Sequence, residues 1–149
     1  MTETDQANQV LAKALKMERF RYNFFSLLEE QADDAETRML FSQIAAEEGK
    51  HCDLFTLELE LMGEEIIDET DYKSEGTFGM GVTKIARKGP SMVLLYAILV
   101  KRRIIDFYIA SVDKINNSWT KMFISELIGH EEKHVRMLRE KLAKVQSAV

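Results

Sequence analysis

Two short segments of the chain each place a carboxylate and an imidazole three residues apart. The first segment pairs Glu48 with His51, and the second pairs Glu131 with His134. On an α-helix, residues three apart lie on the same face, so each pair could bind one metal ion from one helix. Two such pairs, joined by one Glu from each of two further helices, form the ligand set of a dinuclear metal site in a four-helix bundle.

The segments around these pairs are predicted to be long amphipathic helices, because apolar residues recur every three or four positions. They group into one helical hairpin at about 5–62 and a second at about 90–146. Asp33, with Glu36 three residues later, predicts a capping box at the start of the second helix. Glu18 lies within the apolar stripe of the first helix, where a carboxylate is costly to bury unless it is paired or binds a cation.

A long irregular segment at 63–89 joins the two hairpins, and its residues 78–88 are predicted to form a short helix. A connection of this length is unusual inside a compact bundle. It is expected if the third long helix runs parallel to the second, because the chain must then travel the length of the bundle. Ferritin-like folds contain one such crossover. We therefore predict an all-α protein with a single domain at 1–149, a ferritin-like four-helix bundle of two repeated hairpins.

The two halves of the chain align without a gap at an offset of 83 residues, which is the separation of Glu48 from Glu131 and of His51 from His134. One helical hairpin is therefore predicted to be duplicated about a pseudo-two-fold axis. At the same offset Glu18 aligns with Lys101, so a cation stands where the symmetric arrangement requires a fourth Glu. Other matches at this offset are Ala14 with Ala97, Arg19 with Arg102, Phe24 with Phe107, Phe25 with Tyr108, Thr37 with Thr120 and Lys50 with Lys133.

These motifs resemble the rubrerythrin branch of the ferritin-like superfamily. The matching residues are Glu18, the pairs Phe24-Phe25 and Phe107-Tyr108, and the two segments Glu48-x-x-His51 and Glu131-x-x-His134. The resemblance implies a dinuclear iron site, and family members include non-haem peroxidases and iron oxidases. It also implies that Glu18 and His51 are terminal ligands of one metal, that Glu48 and Glu131 bridge, and that His134 binds the second metal. The carboxylate partner of His134 would then be at position 101.

Lys101 departs from this ligand set, because a charged ammonium group has no lone pair for a metal. Repulsion of a second cation is on the order of 4 kcal/mol at an effective dielectric near 20. That energy would weaken the second metal by roughly a thousandfold. Lys101 could replace the second metal by pairing with Glu48 or Glu131, swing aside, or form a salt bridge to Glu18 that abolishes metal binding. Replacement of the second metal is the hypothesis we favour.

Some residues near the motifs allow two interpretations. Tyr22 and Tyr108 are either core aromatics or hydrogen-bond partners of the ligands. His130 aligns with Glu47, and it either pairs with Glu126 or takes part in the site. Cys52 adjoins His51 but points to another face, as a small buried hydrophobic residue.

Composition narrows the functional classes. A formal net charge of -5 argues against a nucleic-acid-binding protein. The longest apolar run, 92–100, is too short to cross a bilayer, and the polar segment 1–8 does not resemble a signal peptide. Cys52 is the only cysteine, which fits a reducing compartment and excludes a rubredoxin-type Cys-x-x-Cys centre. We predict a cytoplasmic protein that binds neither nucleic acid nor membrane.

The predicted function is that of a metal-binding, iron-dependent oxidoreductase that reduces peroxide or oxidises ferrous iron. The cofactor is iron, as one or two ions, with zinc or manganese as substitutes. Peroxide, oxygen or ferrous iron would be the substrates, and a separate electron donor would be required. The alternatives are an iron-handling protein without turnover and a structural bundle with a decayed site. The predicted assembly is a homodimer, with exchange of hairpins between two chains as one form of it.

Overall fold

A computed structural model describes residues 3–64 and 76–148, with side chains from residue 6 in the first range and from residue 79 in the second. These residues form five α-helices and no strand, which confirms the prediction of an all-α bundle. The helices are α1 (Glu3–Gln31), α2 (Ala35–Leu61), α3 (Gly76–Arg87), α4 (Pro90–Val112) and α5 (Ser118–Ser147). The predicted short helix is α3, and residues 65–75 of the predicted crossover lie outside the described residues.

The helices pack as two hairpins. α1 lies along α2, α4 lies along α5, and the short helix α3 packs against α1 and α4. The turns within the hairpins are short, so the two helices of each hairpin run in opposite directions. None of the helices in the described ranges is long and apolar enough to cross a membrane.

The first residues of α2 and α5 are fixed by side-chain caps of one type. Thr37 N donates to Oδ2 of Asp34 at 3.3 Å, and the Thr37 hydroxyl donates to the same oxygen at 3.0 Å. Thr120 N donates to Oδ1 of Asn117 at 3.0 Å. Such side chains satisfy backbone N–H groups that have no partner within the helix. The prediction of a cap at Asp33 is wrong by one residue, because Asp34 supplies the oxygen.

Replacing Asp34 by Ala should lower the free energy of unfolding by about 1 kcal/mol, because the first turn of α2 loses its acceptor. Asp33→Ala is the matched control and should change stability by less than about 0.5 kcal/mol. The hydrogen bond from Thr37 lowers the pKa of Asp34 below its ordinary value. The contribution of the cap is therefore present at neutral pH and is lost only as the pH falls through that lowered value. Urea unfolding of the three chains tests this, and equal losses for both variants would contradict it.

The core consists of two apolar clusters. One cluster includes Phe25, Phe41 and Leu94, and the other includes Phe55 and Ile124. Along each of the four long helices, the buried charged residues and histidines fall between the segments that contribute to these two clusters. A polar layer therefore separates two apolar halves of the interior, and its groups must satisfy one another or a bound ion.

Candidate metal centre

Six side chains from the four long helices make up the buried polar layer. They are Glu18 from α1, Glu48 and His51 from α2, Lys101 from α4, and Glu131 and His134 from α5. Five of them are fully buried, and His51 is 4% exposed. Each one lies on the core-facing side of its helix, as the periodicity of the sequence predicts.

The carboxylate of Glu18 contacts groups from two other helices. Its Oε1 accepts a hydrogen bond of 2.8 Å from the hydroxyl of Tyr108, and its Oε2 lies 3.3 Å from Nδ1 of His51. That nitrogen also lies 3.2 Å from Oε1 of Glu131. Burial, with the nearby charge of Glu18, raises the pKa of Tyr108 well above its ordinary value, so the phenol stays a donor. Of the two interpretations of Tyr108, the geometry supports the hydrogen-bond partner.

His51 carries a proton when no metal is bound. Burial alone lowers the pKa of His51, but hydrogen bonds with Glu131 and Glu18, together with their charges, raise it to about 9. The ring is therefore an imidazolium at neutral pH, and both of its nitrogens are donors. A metal ion needs the lone pair on a ring nitrogen, so binding at Nδ1 must displace this proton.

The ammonium group of Lys101 lies among three acceptors. Its Nζ donates to Oε2 of Glu131 at 2.8 Å and lies 2.9 Å from Nδ1 of His134. It also contacts Oε1 of Glu48. An ammonium group has three N–H donors, and three acceptor groups surround it here. Of the three arrangements considered for Lys101, this geometry matches pairing with Glu48 and Glu131.

The contacts of His134 fix its tautomer. Lys101 can only donate, so Nδ1 of His134 must accept and its proton must be on Nε2. That nitrogen donates to Oε2 of Glu47 on α2. A carboxylate that accepts from the outer nitrogen of a histidine orients the ring. The inner nitrogen of His134 is thereby directed at the ammonium group.

Charge explains why a cation at position 101 is tolerated in the interior. Burial lowers the pKa of Lys101, while the charges of Glu131 and Glu18 oppose that shift. Burial tends to raise the pKa of Glu131, but the charge of Lys101 and the hydrogen bond with His51 hold it well below its ordinary value. The buried ammonium and carboxylate groups therefore favour each other's charged form.

The other side of the layer has the residues that could hold a cation. Glu18, Glu48, His51 and Glu131 are buried, and one ligand atom from each lies within 4.8 Å of all the others. An ion with bonds of about 2.1 Å spans up to about 4.2 Å between opposite ligands, so small side-chain movements would close the cluster. Oε2 of Glu48 is buried and accepts no hydrogen bond from the described residues. A carboxylate oxygen buried without a partner is costly, and a cation would remove that cost.

Of the two interpretations of His130, the geometry supports a place beside the site, because its ring stacks on that of His51 with centroids 5.6 Å apart and its Nδ1 lies 3.4 Å from Nε2 of His51. Two other polar contacts of this layer were not predicted from the sequence. Glu47, which aligns with His130 at the 83-residue offset, contacts His134. Arg21 is buried and donates to the carbonyl oxygen of Val100 at 2.8 Å. Arg21 lies one turn after Glu18, and this spacing could have indicated that Arg21 also faces the core.

The remaining two residues with open interpretations lie outside the layer. Tyr22 is 41% exposed and is not a core aromatic. Burial and the charge of Glu18 raise the pKa of Cys52 to about 12. The thiol is therefore protonated at neutral pH and is a poor nucleophile.

The family model for Rubrerythrin matches residues 9–142, which include all six side chains of the buried layer. No curated protein matches the chain.

Proposed function

The chain belongs to the rubrerythrin family, and from that premise we propose that it is a non-haem iron protein that holds one iron ion per chain. The ligands would be Glu18, Glu48, His51 and Glu131, while Lys101 occupies the place of the second ion. A buried cluster of Glu and His that could hold a metal ion is present among the described residues. We propose in addition which metal binds there, how many ions bind and which reaction they support.

The position of Lys101 Nζ is the observation that carries the proposal. A second ion would need oxygens from Glu48 and Glu131 and the inner nitrogen of His134. All three side chains are in contact with the ammonium group instead. Nδ1 of His51 donates a proton to Glu18 and Glu131, and a metal ion can displace that proton and take its place. The two histidines are therefore unequal, and only His51 is available to a cation.

The charge of the layer also favours a single divalent ion. Glu18, Glu48 and Glu131, together with Glu47 at the edge of the layer, carry four negative charges, which Lys101, the buried Arg21 and one divalent ion balance. A second divalent ion would leave two uncompensated positive charges in the interior. At a separation of about 4 Å, each pair of like unit charges costs on the order of 4 kcal/mol at an effective dielectric near 20.

The donor set suits iron. Three carboxylates and one imidazole form a hard oxygen-rich site, which binds iron, manganese or zinc rather than copper(I). Family membership makes iron the first choice among these metals. Bound iron would supply electron transfer to peroxide or oxygen.

We propose reduction of peroxide as the reaction. Conversion of peroxide to two water molecules consumes two electrons and two protons. Tyr108 and Lys101 hold protons on the two sides of the layer, at the phenol oxygen and at Nζ. The sequence contains no Cys-x-x-Cys iron centre, so the electrons would come from a separate donor.

Iron handling without turnover is the second candidate. Lys101 favours it, because a fixed ammonium in place of the second metal removes the dinuclear site on which the family's peroxide chemistry depends. In that case peroxide would oxidise the bound iron once and the protein would then stop.

Peroxide consumption by the iron-loaded chain, with an artificial electron donor, separates the two candidates. The oxidoreductase should turn over repeatedly, and Glu18→Gln should lower the rate by at least about a hundredfold because a ligand is lost. Glu126→Gln is the matched control, since Glu126 is exposed on α5. Consumption that ends once the bound ferrous iron has been oxidised to ferric iron, at about half an equivalent of peroxide per ion, would contradict the reductase and support iron handling.

A further inference from the structure

Two aromatic side chains make reciprocal contacts across the buried layer. Tyr108 on α4 donates its hydroxyl to Glu18 on α1 at 2.8 Å. Phe25 on α1 places its ring centroid 5.1 Å from Nζ of Lys101 on α4. Each aromatic residue follows the polar residue of its own helix by seven positions, so both lie two turns further along the same face.

The two contacts occupy equivalent positions at the 83-residue offset, where Glu18 aligns with Lys101 and Phe25 aligns with Tyr108. In each contact the aromatic side chain suits the charge of its partner. A phenol hydroxyl donates a hydrogen bond, which suits a carboxylate. The face of a benzene ring is the negative end of a quadrupole, which attracts an ammonium group. Each aromatic residue therefore fits the charge that it faces and would not fit the opposite one.

We infer that Phe25 and Lys101 form a coupled pair that limits the protein to one metal ion, with Phe25 as a residue that determines metal number. The inference rests on the single-ion function proposed above. A carboxylate at position 101 would face the ring of Phe25, which has no donor to orient it. A hydroxyl at position 25 would supply that donor, as Tyr108 does for Glu18.

A role for Phe25 in the core alone makes a different prediction. Phe25 is fully buried and packs against Phe24 and Phe41, with ring centroids 5.3 Å and 6.1 Å away. If packing were its only role, adding a hydroxyl would have the same effect whichever residue stands at position 101. If the pair is coupled, the effect depends on the charge at position 101.

Anaerobic titration with ferrous iron of the native chain, Lys101→Glu, Phe25→Tyr and the double variant tests the coupling. Lys101→Glu should bind a second ion weakly, and the double variant should bind that ion about tenfold more tightly, because the new carboxylate gains a hydrogen bond. Phe25→Tyr alone should bind no second ion, because Lys101 remains. A second ion bound equally tightly with Phe or Tyr at position 25 would overturn the inference.

A control variant tests whether the added hydroxyl must be at position 25 or has the same effect elsewhere in the core. Phe24 is buried with its ring centroid 5.3 Å from that of Phe25, but it is the ring of Phe25 that faces Nζ of Lys101, so Phe24→Tyr combined with Lys101→Glu should not tighten the second ion. If it tightens that ion as much as Phe25→Tyr does, the effect is not specific to position 25 and the inference is wrong.

Thermal unfolding of the metal-free chains is a second test of the coupling, and it can be done even if Lys101→Glu does not fold. Phe25→Leu should lower the melting temperature by about 3 °C more in the native chain than in Lys101→Met, because only the native chain loses a cation–π contact. Equal losses would overturn the coupling. This measurement needs no metal, so it stands even if the native chain binds no iron and the proposed function fails.

Discussion

Replacing Lys101 by Met is expected to lower the free energy of unfolding of the metal-free chain by about 3–5 kcal/mol. The ammonium group contacts Glu48 and Glu131, and all three side chains are fully buried. Removing it leaves Glu48 without its cation in the interior and leaves Glu131 with the contact of 3.2 Å to His51, which costs far more than the lost contacts alone. For a chain of this length the melting temperature should fall by about 10 °C.

Lys50→Met is the control for this experiment, because Lys50 is exposed on α2. Surface substitutions of this kind change stability by less than about 0.5 kcal/mol. Excess zinc should raise the melting temperature of Lys101→Met more than that of the native chain, since a second ion can then take the place of the ammonium group. A Lys101→Met chain as stable as the native chain without metal would show that Lys101 does not balance the carboxylates.

The two histidines should respond very differently to the same substitution. His51→Gln is expected to weaken binding of the single ion by at least about a hundredfold, because one of four ligands in such a site contributes roughly 3 kcal/mol. His134→Gln should change that affinity by less than about tenfold, since Nδ1 of His134 contacts Lys101 rather than the ion. A symmetric dinuclear site would instead lose affinity in both variants.

Competition with a chelator of known affinity measures both constants at one pH. The pH must be fixed, because burial lowers the pKa of His51 while Glu131 and Glu18 raise it to about 9. Below that value each bound ion displaces a proton from the ring, so the apparent affinity of the native chain rises with pH and levels off above about pH 9. Equal losses in His51→Gln and His134→Gln would contradict the assignment of the ion to His51.

The fold and the buried layer could be predicted because helical periodicity records which residues face the core. Glu18, Lys101 and Glu131 each occupy a stripe position in the sequence, and each is fully buried. Burial of a charged residue at such a position is costly, so its presence there points to a partner or an ion. The offset between the halves identified Lys101 as the departure, without any coordinates.

The contacts between these side chains could not be predicted, because they depend on how the helices are rotated and on the rotamers at their interfaces. Nothing in the sequence indicates that Glu47, rather than a water molecule, accepts from Nε2 of His134. The stacking of His130 on His51 and the burial of Arg21 likewise follow from helix packing. The choice of Asp34 over Asp33 as cap depends on backbone angles at the turn. The homodimer, the cytoplasmic location and the duplicated hairpin remain predictions.

The number of iron ions bound per chain decides whether Lys101 takes the place of a second ion. The purified chain is loaded with ferrous iron without oxygen, freed of weakly bound metal, and analysed for iron and protein. One tightly bound ion per chain is expected, because Lys101 fills the second position. Two tightly bound ions per chain would contradict it.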